Sequence, residues 1–469
     1  MPENTPILSR YHPELKFCLK VGLISLLTLC QLPLTLASPS VYPTGTTIYD
    51  PSRAFNSYVL FSSGDNVARL IDLNGNVVNT WPDAGGHSTL IDPALNAGKL
   101  GHVLVTVLTV DGKGTGLVPG LNRTRISKTV AELDWQGKPV WSFGEKAPGG
   151  LAQQHHDWTR LANGNTLLLA NLAHQVPGFK QPQLLDDVIY EVNPAGEVVW
   201  KWVAADHLHE FGFSADELKL VKNSENADYL HFNNLKVLGP NRWYKSGDQR
   251  FHPDNLLVDA RNANFIAIID RKSGKVVWLL GPHYVSVGSG PKPRNVPRPV
   301  DQISGQHDAH LIPEGLPGAG NLLVFDNQGE AGYPPVPLSV TGGSRVLEID
   351  PIKKEVVWQY TGEDSGGPGW SFRSTHISNA RRLPNGNTFI NEGQKGRLFQ
   401  VTWDGDIVWE YVNPYPRIGK DASTGKPTSN SQLYRGQPIP YSWVPTNTLR
   451  SEKVVKPPLP GDFHIPAQP

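Results

Sequence analysis

Residues 266–278 read IAIIDRKSGKVVW and decide the fold. Apolar residues at period two, a turn at Gly274 and a second short strand closed by Trp278 predict a β-hairpin. The same phrase recurs as RLIDLNGNVVNTW (69–81), AELDWQGKPVW (131–141), IYEVNPAGEVVW (189–200), VLEIDPIKKEVVW (346–358) and LFQVTWDGDIVW (398–409). One hairpin cannot bury its own face, so regular recurrence indicates a closed or stacked array. Six copies predict an all-β protein, a six-bladed β-propeller.

A second recurring phrase lies between the hairpins, where a histidine begins a segment that runs through a turn into an apolar strand. Its copies start at His156, His231, His307 and His376, with a looser copy at His87. This phrase adds two strands to each blade, so we predict four-stranded blades. The first blade lacks the histidine, and residues 58–61 are predicted to supply its inner strand. The two chain ends are expected to close the ring, since closure removes exposed sheet edges.

Three segments follow from composition. Residues 1–37 combine basic residues with an apolar run that is short for a membrane span, which predicts an export signal peptide, or an inner-membrane anchor if it is not cleaved. Residues 38–412 carry the propeller. Residues 413–469 form a Pro-rich tail expected to wrap the propeller or to be partly disordered. Both cysteines, Cys18 and Cys30, fall in the signal segment, so the mature chain is predicted to use no disulfide, thiolate metal site or cysteine nucleophile.

Charge and motifs exclude several function classes. The 43 basic and 43 acidic residues balance, which disfavours nucleic acid and a polybasic membrane contact beyond the signal segment. No nucleotide-binding unit is recognisable, so no cofactor is predicted. The adjacent His155 and His156 would point to opposite faces of a strand and cannot chelate one ion, and no metal site is predicted.

Inner strands of propeller blades line the central channel, so equivalent positions converge. We therefore expect His156, His231, His307 and His376 to cluster at one mouth of the channel, with His87 as a further candidate. The structural alternative is that each imidazole bonds the backbone of a neighbouring blade. Convergent polar groups in a pocket are typical of a binding or catalytic site.

Two further side chains are expected beside this cluster. Arg261 directly follows an inner strand, and Asn233 lies two residues after His231 on the same face. A guanidinium, an amide and several imidazoles suit a tetrahedral oxyanion such as sulfate or phosphate. Taken alone, Arg261 is equally consistent with a salt bridge between blades.

The order of these residues is similar to that of a known family. The SRAFNSYVLFSS opening, HHDW, the His-x-Asn of HFN, the Arg after the fourth inner strand and QHDAH extend over about residues 47–413. The chain resembles the bacterial aryl-sulfate sulfotransferases, periplasmic enzymes that use a phenolic sulfate ester as donor.

The resemblance implies sulfuryl transfer from a small aryl sulfate donor to a phenol acceptor through a transiently sulfated histidine. By order along the chain, His307 matches the nucleophile, and His156, His231, Asn233 and Arg261 match the supporting residues. His376 has no clear counterpart and is retained as a substrate-binding candidate. Two departures are the missing disulfide and the short stretch before the first blade, where many members carry an extra β-domain.

The residues themselves, considered apart from the resemblance, are suited to sulfuryl transfer. Sulfuryl transfer needs a nucleophile that is uncharged at neutral pH, which imidazole provides, together with fixed donors for the sulfuryl oxygens and a proton for the leaving phenolate. His307 is preferred to His310 because it aligns with the histidines of other blades. His310, three residues on, is expected to face the opposite side of the strand.

Two other classes stay open at this point. Asp326, Asn327 and Asn391 follow inner strands, so a metal-dependent propeller hydrolase such as a lactonase is one alternative. A non-catalytic propeller that binds protein or glycan on its face is the other.

Overall fold

The computed structural model describes residues 44–107, 115–117, 125–288, 292–337, 342–420 and 424–457. The predicted signal segment, residues 1–37, lies outside the described residues. The strands are β1 Gly45–Tyr49, β2 Tyr58–Ser62, β3 Ala68–Ile71, β4 Val77–Trp81, β5 Ala84–Leu90, β6 Val103–Val107, β7 Thr115–Leu117, β8 Arg125–Ser127, β9 Val130–Leu133, β10 Pro139–Phe143, β11 Gln154–Arg160, β12 Thr166–His174, β13 Leu184–Val192, β14 Val198–Val203, β15 Phe232–Val237, β16 Leu256–Ala260, β17 Phe265–Ile269, β18 Val276–Leu280, β19 Arg298–Pro299, β20 His307–Leu311, β21 Leu322–Asp326, β22 Arg345–Asp350, β23 Glu355–Tyr360, β24 Asn379–Arg382, β25 Thr388–Glu392, β26 Arg397–Val401, β27 Ile407–Val412, β28 Arg417–Lys420, β29 Pro427–Asn430 and β30 Gly436–Ile439.

Helices are few. The α-helices are α1 Ala215–Lys222 and α2 Arg242–Lys245, and the 3₁₀ turns are Pro93–Leu95, Pro148–Gly150, Ala204–Glu210, Gln249–Phe251, Gly362–Ser365, Gly369–Ser371, Gly393–Lys395 and Tyr441–Trp443. The sequence predicts α1 from its capping box, and Ser214 and Glu217 do exchange the two cap hydrogen bonds. None of the helices in the part of the chain that the structure describes has the length and apolar character needed to cross a bilayer.

The strands form six four-stranded antiparallel blades in a ring, which confirms the predicted six-bladed β-propeller. From the channel outward the blades are β30-β2-β3-β4, β5-β6-β9-β10, β11-β12-β13-β14, β15-β16-β17-β18, β20-β21-β22-β23 and β24-β25-β26-β27. Strand β1 adds to the outer edge of the sixth blade, β19 to that of the fifth, and the β7–β8 hairpin to the inner edge of the third. Between neighbouring blades the inward-facing apolar residues pack into separate buried clusters.

The tryptophan of the repeated phrase joins one blade to the next. In five of the six blades an indole N–H donates to a backbone carbonyl in the outer hairpin turn of the following blade: Trp81 to Asp134, Trp202 to Gly274, Trp278 to Pro351, Trp358 to Trp403 and Trp409 to Leu73, at 2.7–3.1 Å. At the remaining junction the Lys146 ammonium donates to Ala195 instead. In the third blade the buried indole is Trp202, two residues beyond the tryptophan of the phrase.

The inner strand of the first blade differs from the sequence prediction. Residues 58–61 form the second strand of that blade, and β30, Gly436–Ile439, is its inner strand. The propeller therefore extends beyond residue 412 into the segment predicted as a tail. Strand β30 has the sequence GQPI, which contains a proline and no apolar run. Its place in the sheet comes from its backbone pairing with β2, and a proline is tolerated there because the strand lies at the edge of the sheet.

Candidate active site at one mouth of the channel

The inner strands share a kink near their start, and this kink aims the histidines. His156 and His231 adopt left-handed backbone conformations at φ 57° and 56°, and Asp308 and Ile377 do the same at 61° and 56°. The register with the second strand shifts at the same place in the third, fourth and fifth blades. A bulge of this kind re-aims side chains that strict alternation would send elsewhere.

His307 is buried at the start of β20 with both ring nitrogens occupied. Its Nδ1 lies 2.7 Å from Oδ1 of Asn327 and 3.0 Å from the Gly305 carbonyl oxygen, which are both acceptors. Its Nε2 accepts the backbone N–H of Ile377 at 3.1 Å. These partners place the proton on Nδ1 and leave the lone pair on Nε2.

His156 and His231 lie side by side, with ring centroids 4.6 Å apart. Nδ1 of His231 donates to the Asp228 carboxylate at 2.5 Å. Nδ1 of His156 shares a proton with Nδ1 of His155 at 2.6 Å. The predicted convergence of these two histidines is therefore present, and each is oriented by a second polar group.

Electrostatics keep two of the three imidazoles neutral. Burial, followed by the charge of Arg261, holds the pKa of His307 well below its usual value of 6.5. Burial, with neighbouring His231 adding to it, does the same for the pKa of His156. Burial alone would raise the pKa of Asp228, but the adjacent His231 lowers it, so this carboxylate stays ionised beside the ring.

The other predicted residues lie around this cluster. Arg261 holds Asn262 Oδ1 at 2.7 Å, and its charge is the second cause, after burial, of the lowered pKa of His376. Asn233 donates from Nδ2 to the Gln306 carbonyl oxygen at 2.8 Å, while its buried Oδ1 has no hydrogen-bond partner among the described residues. Arg261, predicted either as an anion donor or as an inter-blade salt bridge, forms no ion pair within the part of the chain that the structure describes.

Two residues of the C-terminal segment, Tyr434 and Arg435, also contribute to the site. The sequence did not predict this contribution. The ring of Tyr434 packs against His156 at 5.4 Å, and its hydroxyl donates to the Asn233 carbonyl oxygen at 3.1 Å. Arg435, 3% exposed, lies 2.8 Å from Asp157 and 3.6 Å from Asp308. Burial alone would raise the pKa of both carboxyls. Arg435 and then Lys236 lower the pKa of Asp157, and Arg381 followed by Arg435 lowers the pKa of Asp308 to about 2.

His87 does not join the cluster. Its ring contacts Trp158, Tyr434 and Thr89, and its Nε2 lies 3.8 Å from the Asp157 carboxylate. The left-handed residue of that blade is Gly86, so His87 lies one position beyond the place that His156 and His231 occupy. His310 faces away from His307, as predicted, and packs beside Arg381.

The three residues of the metal hypothesis are engaged elsewhere. Asp326 pairs with Arg345, Asn327 holds His307, and Asn391 donates to two backbone carbonyls. Within the described residues, no group of three or more His, Cys, Asp or Glu side chains is placed to hold a metal ion.

The comparison with protein families gives a match over most of this propeller. The model described as Arylsulfotransferase (ASST) matches residues 66–407. The chain belongs to this family. That assignment confirms the resemblance seen in the sequence and makes the protein a sulfotransferase that acts on small aryl donors and acceptors. A search of curated proteins gives no match to this chain.

Solved structures match the chain at low similarity. They include a protein of unknown function from Bacteroides caccae (14% identity, TM-score 0.44, 82% of this chain and 99% of that chain) and a streptogramin B lyase (13%, 0.37, 86% and 94%). A third is the β-propeller domain of Cps50 (Swd1) from Myceliophteria thermophila (12%, 0.33, 84% and 98%). We draw nothing about function from these likenesses.

Asn327 is expected to fix the tautomer of His307 in this arylsulfotransferase. We expect Asn327→Ala to lower kcat by about tenfold to a hundredfold with KM nearly unchanged, because the Nδ1 proton loses the nearer of its two acceptors and keeps only the Gly305 carbonyl oxygen. Steady-state assays with 4-nitrophenyl sulfate and a phenol measure both constants. The matched control is Asn385→Ala, at a surface turn that contacts the Arg53 carbonyl oxygen. An unchanged kcat in Asn327→Ala would contradict the assignment.

Proposed function

We propose that the protein moves a sulfuryl group from a phenolic sulfate ester to a phenol in two steps, through a sulfohistidine at His307. The observation that supports this most is the state of that ring: it is buried, neutral, and has its lone pair on Nε2. An activated neutral imidazole held by a second group is the usual form of a histidine nucleophile.

In the first step Nε2 attacks sulfur. The N–S bond forms as the bond between sulfur and the aryl oxygen breaks, and the electron pair leaves with the phenolate. The Ile377 N–H occupies the lone pair in the resting state, so the donor has to displace that contact. In the second step a phenol oxygen attacks the same sulfur, the N–S bond breaks, and the imidazole is restored.

His231 is the residue we assign to proton transfer. Its Nδ1 donates to an ionised carboxylate, which fixes the orientation of the ring, and a histidine held in this way is suited to give a proton to a leaving phenolate and to take one from the acceptor. We assign Arg261 and the second Nδ2 hydrogen of Asn233 to the sulfuryl oxygens as their charge changes, with His156 as a neutral donor. His376 is assigned to the rim of this site, near Arg261.

Location in the cell belongs to the same proposal. Residues 1–37 have the charge and apolar pattern of an export signal, so we propose that the enzyme works in the periplasm, or from the inner membrane if the segment is retained. Fractionation of the full-length protein with an intact signal segment tests this.

The direct test uses mass spectrometry on the wild-type protein with 4-nitrophenyl sulfate and no acceptor. We expect a gain of one sulfuryl group together with one equivalent of nitrophenol, and loss of the adduct when a phenol is added. Nitrophenol release that needs acceptor from the start, with no adduct at any time, would overturn the two-step mechanism in favour of direct transfer.

The pH dependence of the first step follows from the lowered pKa of His307. The free base is the reactive form, so its fraction stays near one until the pH falls to the folded pKa, well below 6.5. We therefore expect a burst rate that is flat from about pH 8 to about pH 6, whereas an unperturbed histidine would lose half its rate near pH 6.5. Stopped-flow release of nitrophenol, a leaving group that needs no proton, isolates this step. A midpoint near 6.5 would contradict the assignment.

A further inference from the structure

A second cavity opens at the other ends of the inner strands. Its volume is about 800 Å³, within the range of small-molecule sites, and all six inner strands contribute to its lining. Along β11 and β20 the order is the same: a histidine of the candidate active site, then an aspartate, then a side chain that lines this cavity. The cavity is therefore distinct from the site around His307.

A buried charged layer lies between the two. Asp157 and Asp308 are fully buried, and Arg435 contacts both of them. On the cavity side Asp157 also pairs with Lys236 at 2.8 Å, and Asp308 accepts from Arg381 at 2.7 Å. A third buried carboxyl, Asp259, lies near Arg435, and burial holds its pKa well above the usual value, so it is counted as neutral. Three cations against the two ionised carboxylates then leave one positive charge in this layer.

The cations reach the cavity and the carboxylates do not. Lys236 and Arg381 are 22% and 26% exposed, and both line the cavity, whereas the two aspartates are 0% exposed and do not line it. His87 and His310 line the same floor. Each has one buried ring nitrogen without a hydrogen-bond partner among the described residues. The floor therefore offers positive charge and unused polar atoms to a ligand.

The walls are apolar and partly aromatic. They include Trp158, Leu311, Leu383, Pro438 and Trp443. At the rim, the Asp92 carboxylate caps the 3₁₀ turn that follows it, and Glu314 pairs with Lys245, so neither acid is free to oppose the charge of the floor. A flat apolar body between these walls would place an anionic head on Lys236 and Arg381.

We propose that this cavity is a second ligand site that binds a small aromatic anion, with a carboxylate or sulfate head on the floor and the ring between the walls. It does not depend on the sulfohistidine mechanism, because none of His156, His231 and His307 lines it, and Arg435 is the one residue described with that site that does. Carboxylate and sulfate ester heads share this chemistry.

The probe is 8-anilinonaphthalene-1-sulfonate, an aromatic anion whose carbon–sulfur bond cannot serve as a sulfuryl donor. We expect one bound probe per chain and at least a tenfold weaker Kd in Lys236→Met. That change leaves Asp157 paired with Arg435. A second variant, Leu316→Trp, narrows the cavity at a partly buried wall residue without altering charge, and is expected to weaken binding as much.

Two variants control for charge and for the other site. Lys180→Met removes an exposed lysine ion-paired with Glu225, far along the chain from the cavity lining, and is expected to bind the probe as the wild type does. His307→Ala is expected to bind the probe unchanged. Cooperative thermal unfolding of each variant verifies that the fold is retained.

Competition identifies the ligand class. In His307→Ala, where a sulfate ester cannot be consumed, 1-naphthoate and 1-naphthyl sulfate are expected to displace the probe, and the better competitor identifies the preferred head. The neutral analogue 1-naphthol is expected to compete at least tenfold less well. Equal competition by 1-naphthol, probe binding that survives both cavity variants, or binding lost in His307→Ala would each overturn the proposal.

Discussion

His307→Ala is expected to abolish adduct formation and to lower sulfuryl transfer by at least about a thousandfold, because removal of a covalent nucleophile removes the reaction path itself. The remaining residues can still hold the donor, so KM is expected to change far less than kcat. Intact-protein mass spectrometry and nitrophenol release from 4-nitrophenyl sulfate measure the two effects on the same sample.

The matched control is His209→Ala, which removes an imidazole that is 77% exposed on a 3₁₀ turn. We expect this variant to keep wild-type activity. A sulfuryl adduct that persists in His307→Ala would transfer the nucleophilic role to another imidazole of the cluster, and peptide mapping would distinguish His156 from His231.

Ending the chain after Asn430 is expected to prevent folding. The truncation removes the inner strand of the first blade, together with Leu433, Ile439 and Val444, which are all buried. Burial of each such side chain contributes about 1.5–3 kcal/mol. Loss of Arg435 also removes one of the two cations that lie 2.8 Å from Asp157, and breaking a buried pair costs about 3–5 kcal/mol. The sum is comparable with the whole stability of a domain, about 5–15 kcal/mol.

Circular dichroism and thermal unfolding of the soluble fraction measure the outcome. The control ends after Pro457 and keeps every described strand, so it is expected to unfold like the full chain. A cooperatively folded protein ending at Asn430 would mean that the first blade is stable with three strands.

The parts of the fold that the sequence predicts are those with local causes. Period-two apolar residues and turn chemistry such as Asn74–Gly75 fix each hairpin, and their repetition fixes the blade number. The prediction of the inner strand of the first blade was wrong. The strand that takes this place, β30, follows β2 by more than 370 residues, and no local sequence pattern marks their pairing.

The site divides in the same way. Repetition was enough to bring His156, His231 and His307 together, because equivalent strands meet at the channel. It was misleading for His87, which lies one position beyond the left-handed residue of its blade, Gly86. The His-Asp pair shared by HHDW and QHDAH is a sequence signal for Asp157 and Asp308, which the spacing of the histidines does not contain. Tyr434 and Arg435 carry no such signal, since the segment that contains them does not repeat.

The late position of Tyr434 and Arg435 has a consequence for the timing of synthesis. His156, His231 and His307 are already present when about two thirds of the chain has been made, yet until residue 435 arrives the two central aspartates lack the guanidinium that joins them. The first blade lacks its inner strand over the same period. A nascent chain therefore holds the three histidines of the candidate site before the segment that packs against them and joins the aspartates has been made.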